Sequence, residues 1–256
     1  MIRSVMTVFV FMAPLVVAGC PVPHTPETPR SYQFLREQVT GRGYFIYVPS
    51  TYQRGRPCPL IITCHGTFPY DVAEDHIREW KYYGEINNCI VVAPELTGTD
   101  GIFGDGPTSG MLADERFVMG IISTLGYHYN LDMANVMLTG FSGGGFPTYW
   151  IGLRHPDIFS VVVARNCNFS ESNLASWYPP EATATAIFVY YGEYDAAVIK
   201  GQSQNAINYL QTHGFSVTSM EVPDTGHERK PQVAMDFFRK HWRTPRPSLP
   251  TESAAR

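Results

Sequence analysis

Gly140-Phe141-Ser142-Gly143-Gly144 is the stretch of the chain best suited to covalent chemistry. It sets one serine in a G-x-S-x-G spacing, and Gly145 extends the glycine run. Glycine loses more backbone entropy on folding than any other residue, so such a run favours neither strand nor helix. A tight turn between a strand and a helix explains it, because the missing Cβ atoms would clash there and the serine Oγ is lifted clear. A serine hydroxyl is a weak nucleophile and needs a base, and the base needs a carboxylate to fix its tautomer. Four histidines follow Ser142: His155, His213, His227 and His241. His155, His213 and His241 fall in or at the ends of predicted helices, whereas His227 stands in "PDTGHE", a turn after a predicted strand. His227 is therefore the expected base. Asp195 closes the strand-like "IFVYYGEYD" and is the expected acid, with Glu193 as its rival. Asp224 is placed to shape the turn before His227, and Asp157 precedes a strand and falls at its wrong end. The Gly143 N–H and the Thr67 N–H, in "IITCHGTF", are the expected oxyanion donors. Gly140 and Gly144 belong to the elbow itself, and His65 is expected to brace its loop.

The elements that must carry these residues alternate. "GYFIYVPS", "CPLIITCHG", "CIVVAPEL", "NVMLTGFS", "FSVVVARN", "TAIFVYYGEYD" and "SVTSMEVPDTGH" read as strands, several of them continuous apolar runs of the kind buried on both faces. "YDVAEDHIREWKYYGEINN", "GMLADERFVMGIISTLGYHYN", "GGGFPTYWIGLRHP", "KGQSQNAINYLQTHG" and "KPQVAMDFFRKHW" read as helices. The alternation predicts an α/β fold with a mostly parallel central sheet and helices on both faces. Its binding loops would lie at the C-terminal ends of the strands.

The 256 residues, 44% hydrophobic and 16% charged, suffice for one sizeable domain. A net charge of −4 without a basic stripe argues against nucleic acid as a partner. "MIRSVMTVFVFMAPLVVAGC" has the charged start, apolar run and small-residue end of an export signal. The expected layout is a signal at 1–19, a proline-rich tether at 20–30, the domain at 31–242 and a disordered tail at 243–256. Of the five cysteines, Cys58, Cys64, Cys89 and Cys167 follow the signal region and could oxidise in an exported protein. The loop after "CIVVAPEL" borders the expected site, and its Asp100 and Asp105 lack the ligand spacing of a calcium loop. Phe68, Tyr70, Phe141, Trp177 and Tyr178 are candidates for an aromatic substrate pocket.

"YFIYVPSTY", "PCPLIITCHGT", "CIVVAPE", "YNLDMANVMLTGFSGGG", "YYGEYD" and "TGH" resemble the α/β-hydrolase superfamily, in particular its secreted esterases, which include polyhydroxybutyrate depolymerases, feruloyl esterases and acetylxylan esterases. The likeness spans roughly residues 40–242. It implies a serine esterase with Ser142 as nucleophile, Asp195 as acid, His227 as base, Thr67 and Gly143 as the oxyanion hole, and no metal or organic cofactor. The substrate would be a small-molecule or polymer-borne ester and the protein a monomer. Alternatives are a peptidase or amidase of prolyl-oligopeptidase type, or a non-catalytic surface binding protein on the same fold. "VAGC" resembles a bacterial lipobox, which implies lipid attachment at Cys20 and an extracytoplasmic, membrane-anchored location. In the strand order of the superfamily the strands opened by Cys58 and Cys89 are neighbours, which leads to the expectation of a Cys58–Cys89 disulfide; Cys64 and Cys167 stand at the catalytic ends of their strands, and a bridge between them is the alternative if the "NCNFS" loop folds back.

Overall fold

The computed structural model describes residues 31–99, 109–174 and 178–248. The expected export signal, the expected tether with Cys20, and Asp100, Asp105 and Trp177 lie outside them. Eight strands form one sheet: β1 (Gln33–Arg36), β2 (Gly43–Tyr47), β3 (Cys58–Cys64), β4 (Ile90–Pro94), β5 (Leu131–Ser142), β6 (Val161–Cys167), β7 (Ala186–Gly192) and β8 (Val217–Val222). Their order across the sheet is β1-β2-β4-β3-β5-β6-β7-β8. β1 and β2 form an antiparallel edge, β2 is antiparallel to β4, and every other pairing is parallel. The strands from β3 to β8 therefore all end on one side of the molecule, apart from the antiparallel edge.

The continuous apolar strands are buried on both faces, as parallel strands between helix layers must be. Along β3, Leu60 and Ile62 enter one core and Ile61 the other, and along β4 Ile90 and Val92 alternate with Val91 and Ala93 in the same way. The first core is closed by α2 (Ser109–His128), α3 (Gly145–Arg154) and α5 (Ala197–Thr212). The second is closed by α1 (Ala73–Asn87) and α6 (Pro231–Lys240). α1 buries Ala73, His76, Ile77, Trp80 and Gly84, a stripe at helical spacing. α6 opens with Pro231 in its first turn, where the missing N–H has no partner to lose. A short helix, α4 (Glu171–Leu174), and a 3₁₀ turn at Pro180–Ala184 join β6 to β7.

Three expectations are corrected here. The Cys58–Cys89 disulfide is absent: all four cysteines among the described residues are free and buried. The two strands are neighbours as expected, but the register sets Leu60 opposite Ile90, so Cys58 and Cys89 are offset by one residue. One residue turns a side chain to the other face of a sheet. Cys58 accordingly lies in the first core and points its thiol at the Asn88 carbonyl (3.1 Å), while Cys89 lies in the second. Cys64 and Cys167 share a face but are separated by β5, aligned with Gly140 and Ser142 respectively. Burial pushes the thiols of Cys58, Cys64 and Cys167 up to about 12.

The expected disordered tail does not begin at 243. Arg243 and Arg246 donate backbone N–H groups to Asn135 and Asp132, and Ser248 donates to the Leu131 carbonyl at 2.8 Å. These bonds lay residues 243–248 along the start of β5. Tyr178, finally, packs against Phe215 and His213, away from the expected site.

Candidate active site

β5 runs straight into the glycine-flanked turn, and its last residue, Ser142, holds φ at 52°, in the left-handed region that non-glycine residues rarely occupy. The neighbouring glycines do not supply the unusual dihedral; they supply space. A Cβ on Gly140 would collide with the Thr148 hydroxyl and the Gly144 carbonyl, and one on Gly143 with the Thr99 carbonyl. The turn is held by Gly144 N–H on the Phe141 carbonyl (2.8 Å) and by Asn168 N–H on the Ser142 carbonyl (2.9 Å). α3 starts immediately afterwards, with Pro147 in its first turn, where the ring is tolerated.

His227 follows β8 and packs tilted against Phe141, with ring centroids 4.6 Å apart. Its Nδ1 stands 3.0 Å from both carboxylate oxygens of Asp195, whose side chain is fully buried at the end of β7. Glu193, the rival acid, is exposed and accepts the Asp224 N–H at 3.0 Å instead. Asp224 holds a turn at φ 51°. His155, His213 and His241 each stand at the C-terminal cap of a helix.

Thr67 and Gly143 face each other across the turn: the position of a Gly143 Cβ is 3.1 Å from the Thr67 nitrogen. Neither backbone N–H has a hydrogen-bond partner among the described residues. The Thr67 hydroxyl is engaged by the Thr99 carbonyl at 3.1 Å. His65 braces this loop, its Nδ1 bonded to the Gly66 carbonyl (2.7 Å) and its Nε2 accepting the Leu96 N–H (3.0 Å). Thr67, Phe141, Ser142 and His227 all line one cavity of about 960 Å³, whose walls also include Tyr70, Asn168, Val198 and Ile199. Tyr70 and Phe68 are exposed beside it. Among the described residues no group of three or more His, Cys, Asp and Glu is gathered as metal ligands.

Two residues that support the site carried no motif in the sequence. Asn166, at φ 49° on the end of β6, accepts the Gly192 N–H at 2.7 Å and donates to the Glu228 carbonyl at 2.5 Å. It thereby joins the acid-bearing loop to the histidine-bearing one. An Asn closing an apolar strand on the loop side is a faint signal, since Asn tolerates the left-handed region. Asp71, beneath the Thr67 loop, accepts N–H groups from Gly66 and His76 and pairs with Arg229, two residues past His227.

No protein-family model matches the chain. It is 23% identical over 191 residues to a bifunctional acetylxylan esterase/xylanase of Neocallimastix patriciarum; the match takes in 71% of this chain and 24% of that protein, so the chain spans about a quarter of its relative's length. The structure is similar to an S-formylglutathione hydrolase of Staphylococcus aureus, with a TM-score of 0.63 at 14% identity, covering 82% of this chain and 98% of the other. It is also similar to a ferulic acid esterase of Anaeromyces mucronatus, with a TM-score of 0.61 at 17% identity, covering 86% and 94%. The chain has the α/β-hydrolase fold.

Proposed function

We propose that the chain is a serine carboxylic-ester hydrolase acting through Ser142, His227 and Asp195. The observation that carries the reading is the meeting of three features: a serine strained to φ 52° at a strand–helix turn, a histidine that lines the same cavity, and a buried carboxylate behind that histidine, 3.0 Å from its Nδ1. Ser142 Oγ attacks the ester carbonyl carbon while His227 Nε2 takes its proton. Asp195 keeps the other imidazole proton on Nδ1 and stabilises the imidazolium that forms. The oxyanion settles between the Thr67 and Gly143 N–H groups, each of which contributes on the order of a hundredfold in rate. His227 then protonates the leaving alcohol, and a water molecule activated by the same imidazole releases the acid from Ser142. The acetylxylan esterase named among the sequence relatives and the ferulic acid esterase among the structural ones favour an ester over an amide.

A fluorophosphonate probe should label the wild type, and Ser142→Ala should abolish both labelling and the hydrolysis of p-nitrophenyl esters. Equal labelling of the two proteins would refute the assignment of the nucleophile. Matched ester and anilide substrates separate esterase from amidase, with faster turnover of the ester expected. We infer from the lipobox-like "VAGC" that the enzyme is exported and held at a bacterial membrane through Cys20. Cys20→Ala should release it into the soluble fraction, and a wild type found wholly soluble and unlipidated would rule the anchor out.

A further inference from the structure

The loop that carries Thr67 and the loop that carries His227 are far apart in sequence and meet at one carboxylate. Asp71 Oδ2 accepts the Gly66 N–H and the His76 Nε2–H, at 2.5 and 2.7 Å. Its Oδ1 accepts from Arg229 Nη1 at 2.5 Å. The Arg229 Nε also stands 3.2 Å from Glu79. The Arg229 backbone carbonyl is fixed in turn by the Tyr190 hydroxyl (2.9 Å) and by Arg165 Nη1 (3.2 Å). One side of Asp71 thus holds the residue before an oxyanion donor, and the other side holds the second residue after the base.

The proton positions around Asp71 follow from the bonds. Burial brings the His76 imidazole down to about 4, with Asp71 opposing and Arg165 adding to the shift, so it is neutral near pH 7. Its Nε2–H must donate to the carboxylate, which leaves Nδ1 to accept from the Thr63 hydroxyl at 2.7 Å. Thr63 accepts in turn from Arg165 Nη2 at 3.0 Å, and Arg165 Nε reaches Thr139 on β5 at 2.9 Å. From Arg165 Nη2 through Thr63 and His76 each donor points toward Asp71, while Arg165 Nε donates the other way, to Thr139. Burial opposes ionisation of its carboxyl, but these bonds and the Arg229 charge hold it well below the usual carboxylate range. The arrangement is directional from the sheet outward, and the carboxylate is where it ends.

Given the esterase reading, we propose that Asp71 and Arg229 are positioning residues that form one clamp, holding the Thr67 N–H and His227 at a fixed separation around the reacting carbonyl. Asp71 remains an acceptor only, so it takes no proton in the reaction. Its effect on rate comes through the two loops that it joins, and a displacement of about 1 Å in such groups can lower turnover on the order of a hundredfold.

The test is steady-state kinetics on a p-nitrophenyl ester, with active sites counted by fluorophosphonate titration so that misfolded protein does not enter kcat. Asp71→Asn keeps the size of the side chain and an oxygen for the Gly66 N–H, but removes the charge opposite Arg229. Arg229→Gln removes the same pair from the more exposed partner and keeps the measurement available should the first variant fold poorly. Each should lower kcat roughly 10- to 100-fold with KM changed less than about threefold. The double variant should lose no more than the worse single one, because one clamp can be broken only once. A role limited to stability would lower the melting temperature and the count of active sites and leave kcat per site intact. If Arg229→Gln matches the wild type in kcat per titrated site, or if the losses multiply in the double variant, the clamp is overturned while the esterase reading stands. A wild type that neither labels nor turns over ester overturns both.

Discussion

Replacing Asp195 by Asn probes the histidine without emptying the site. Asp195 Oδ1 accepts the Ala196 N–H at 2.6 Å, so the amide oxygen of an asparagine is drawn to that position and its NH2 to that of Oδ2. His227 Nδ1, 3.0 Å from both positions, then faces one acceptor and one donor in place of two acceptors. The tautomer protonated on Nε2 becomes competitive, and in that form the imidazole cannot take the Ser142 proton. Loss of the Asp in such a constellation lowers turnover by roughly ten-thousandfold. Because the acceptor held by Ala196 survives, the lower part of the range is expected here: a fall in kcat of about a thousandfold, which is ~4 kcal/mol of transition-state stabilisation. The assay is hydrolysis of p-nitrophenyl acetate by protein shown to be folded by circular dichroism. Glu193→Gln is the internal control and should stay within about twofold, since its side chain serves the exposed Asp224 turn. A loss below tenfold in Asp195→Asn, or an equal loss in Glu193→Gln, would refute the assignment of the acid.

Ser142→Gly should be more stable than Ser142→Ala by about 1 kcal/mol in urea denaturation, because only glycine occupies φ 52° without strain, and both should be inactive; equal midpoints would contradict the strain. The four described cysteines should resist a thiol reagent in the native protein and react on denaturation, and a Cys58–Cys89 linked peptide from non-reducing digestion would contradict the strand register. His76 has a folded pKa of about 4 against an unfolded value of about 6.5. Between these two values the unfolded chain binds the proton that the folded one refuses. Stability should therefore fall by up to about 3 kcal/mol as pH drops from 6.5 to 4, then change no further on this group's account. Urea midpoints for the wild type and His76→Gln should diverge in slope across that window, and parallel slopes would contradict the assignment.

Ser142 and Asp195 are legible because each follows an apolar run, where a parallel sheet presents its loops, whereas His227 follows the exposed strand β8. Ser142 also has its glycines, and His227 is the later histidine that stands in a turn after a strand, while His155, His213 and His241 cap helices. The choice of Asp195 over Glu193 rested on position, and its physical reason is burial against Ala196. What the sequence hid depends on register and on contacts between distant segments. Nothing in "CPLIITC" or "CIVVAP" says whether Cys58 and Cys89 face the same side, since a single-residue offset decides it. Asp71 and Arg229 are 158 positions apart and sit among other charged residues, so only the folded chain distinguishes them from solvated surface. The tail misled for a similar reason: "RTPRP" has the composition of a disordered end, but its backbone finds acceptors on Asp132 and Asn135.

The position of that tail has a bearing on how the cavity meets its surroundings. Ser248 rests against Leu131, where β5 begins, and Ser31 lies by Val48, Tyr52 and Tyr129, beside the entry to the same strand. β5 carries Ser142 at its opposite end, eleven residues further on and, allowing for the register shift near its start, roughly 27 Å away. Both described ends of the chain therefore leave from the rear of the molecule, and the cavity opens at the front. With a lipid at Cys20, the opening would face the medium rather than the bilayer. Esters carried on dissolved molecules or on polymers beyond the membrane could then enter head-on, whereas a lipid in the same leaflet would be reached only if the whole domain turned over on its tether.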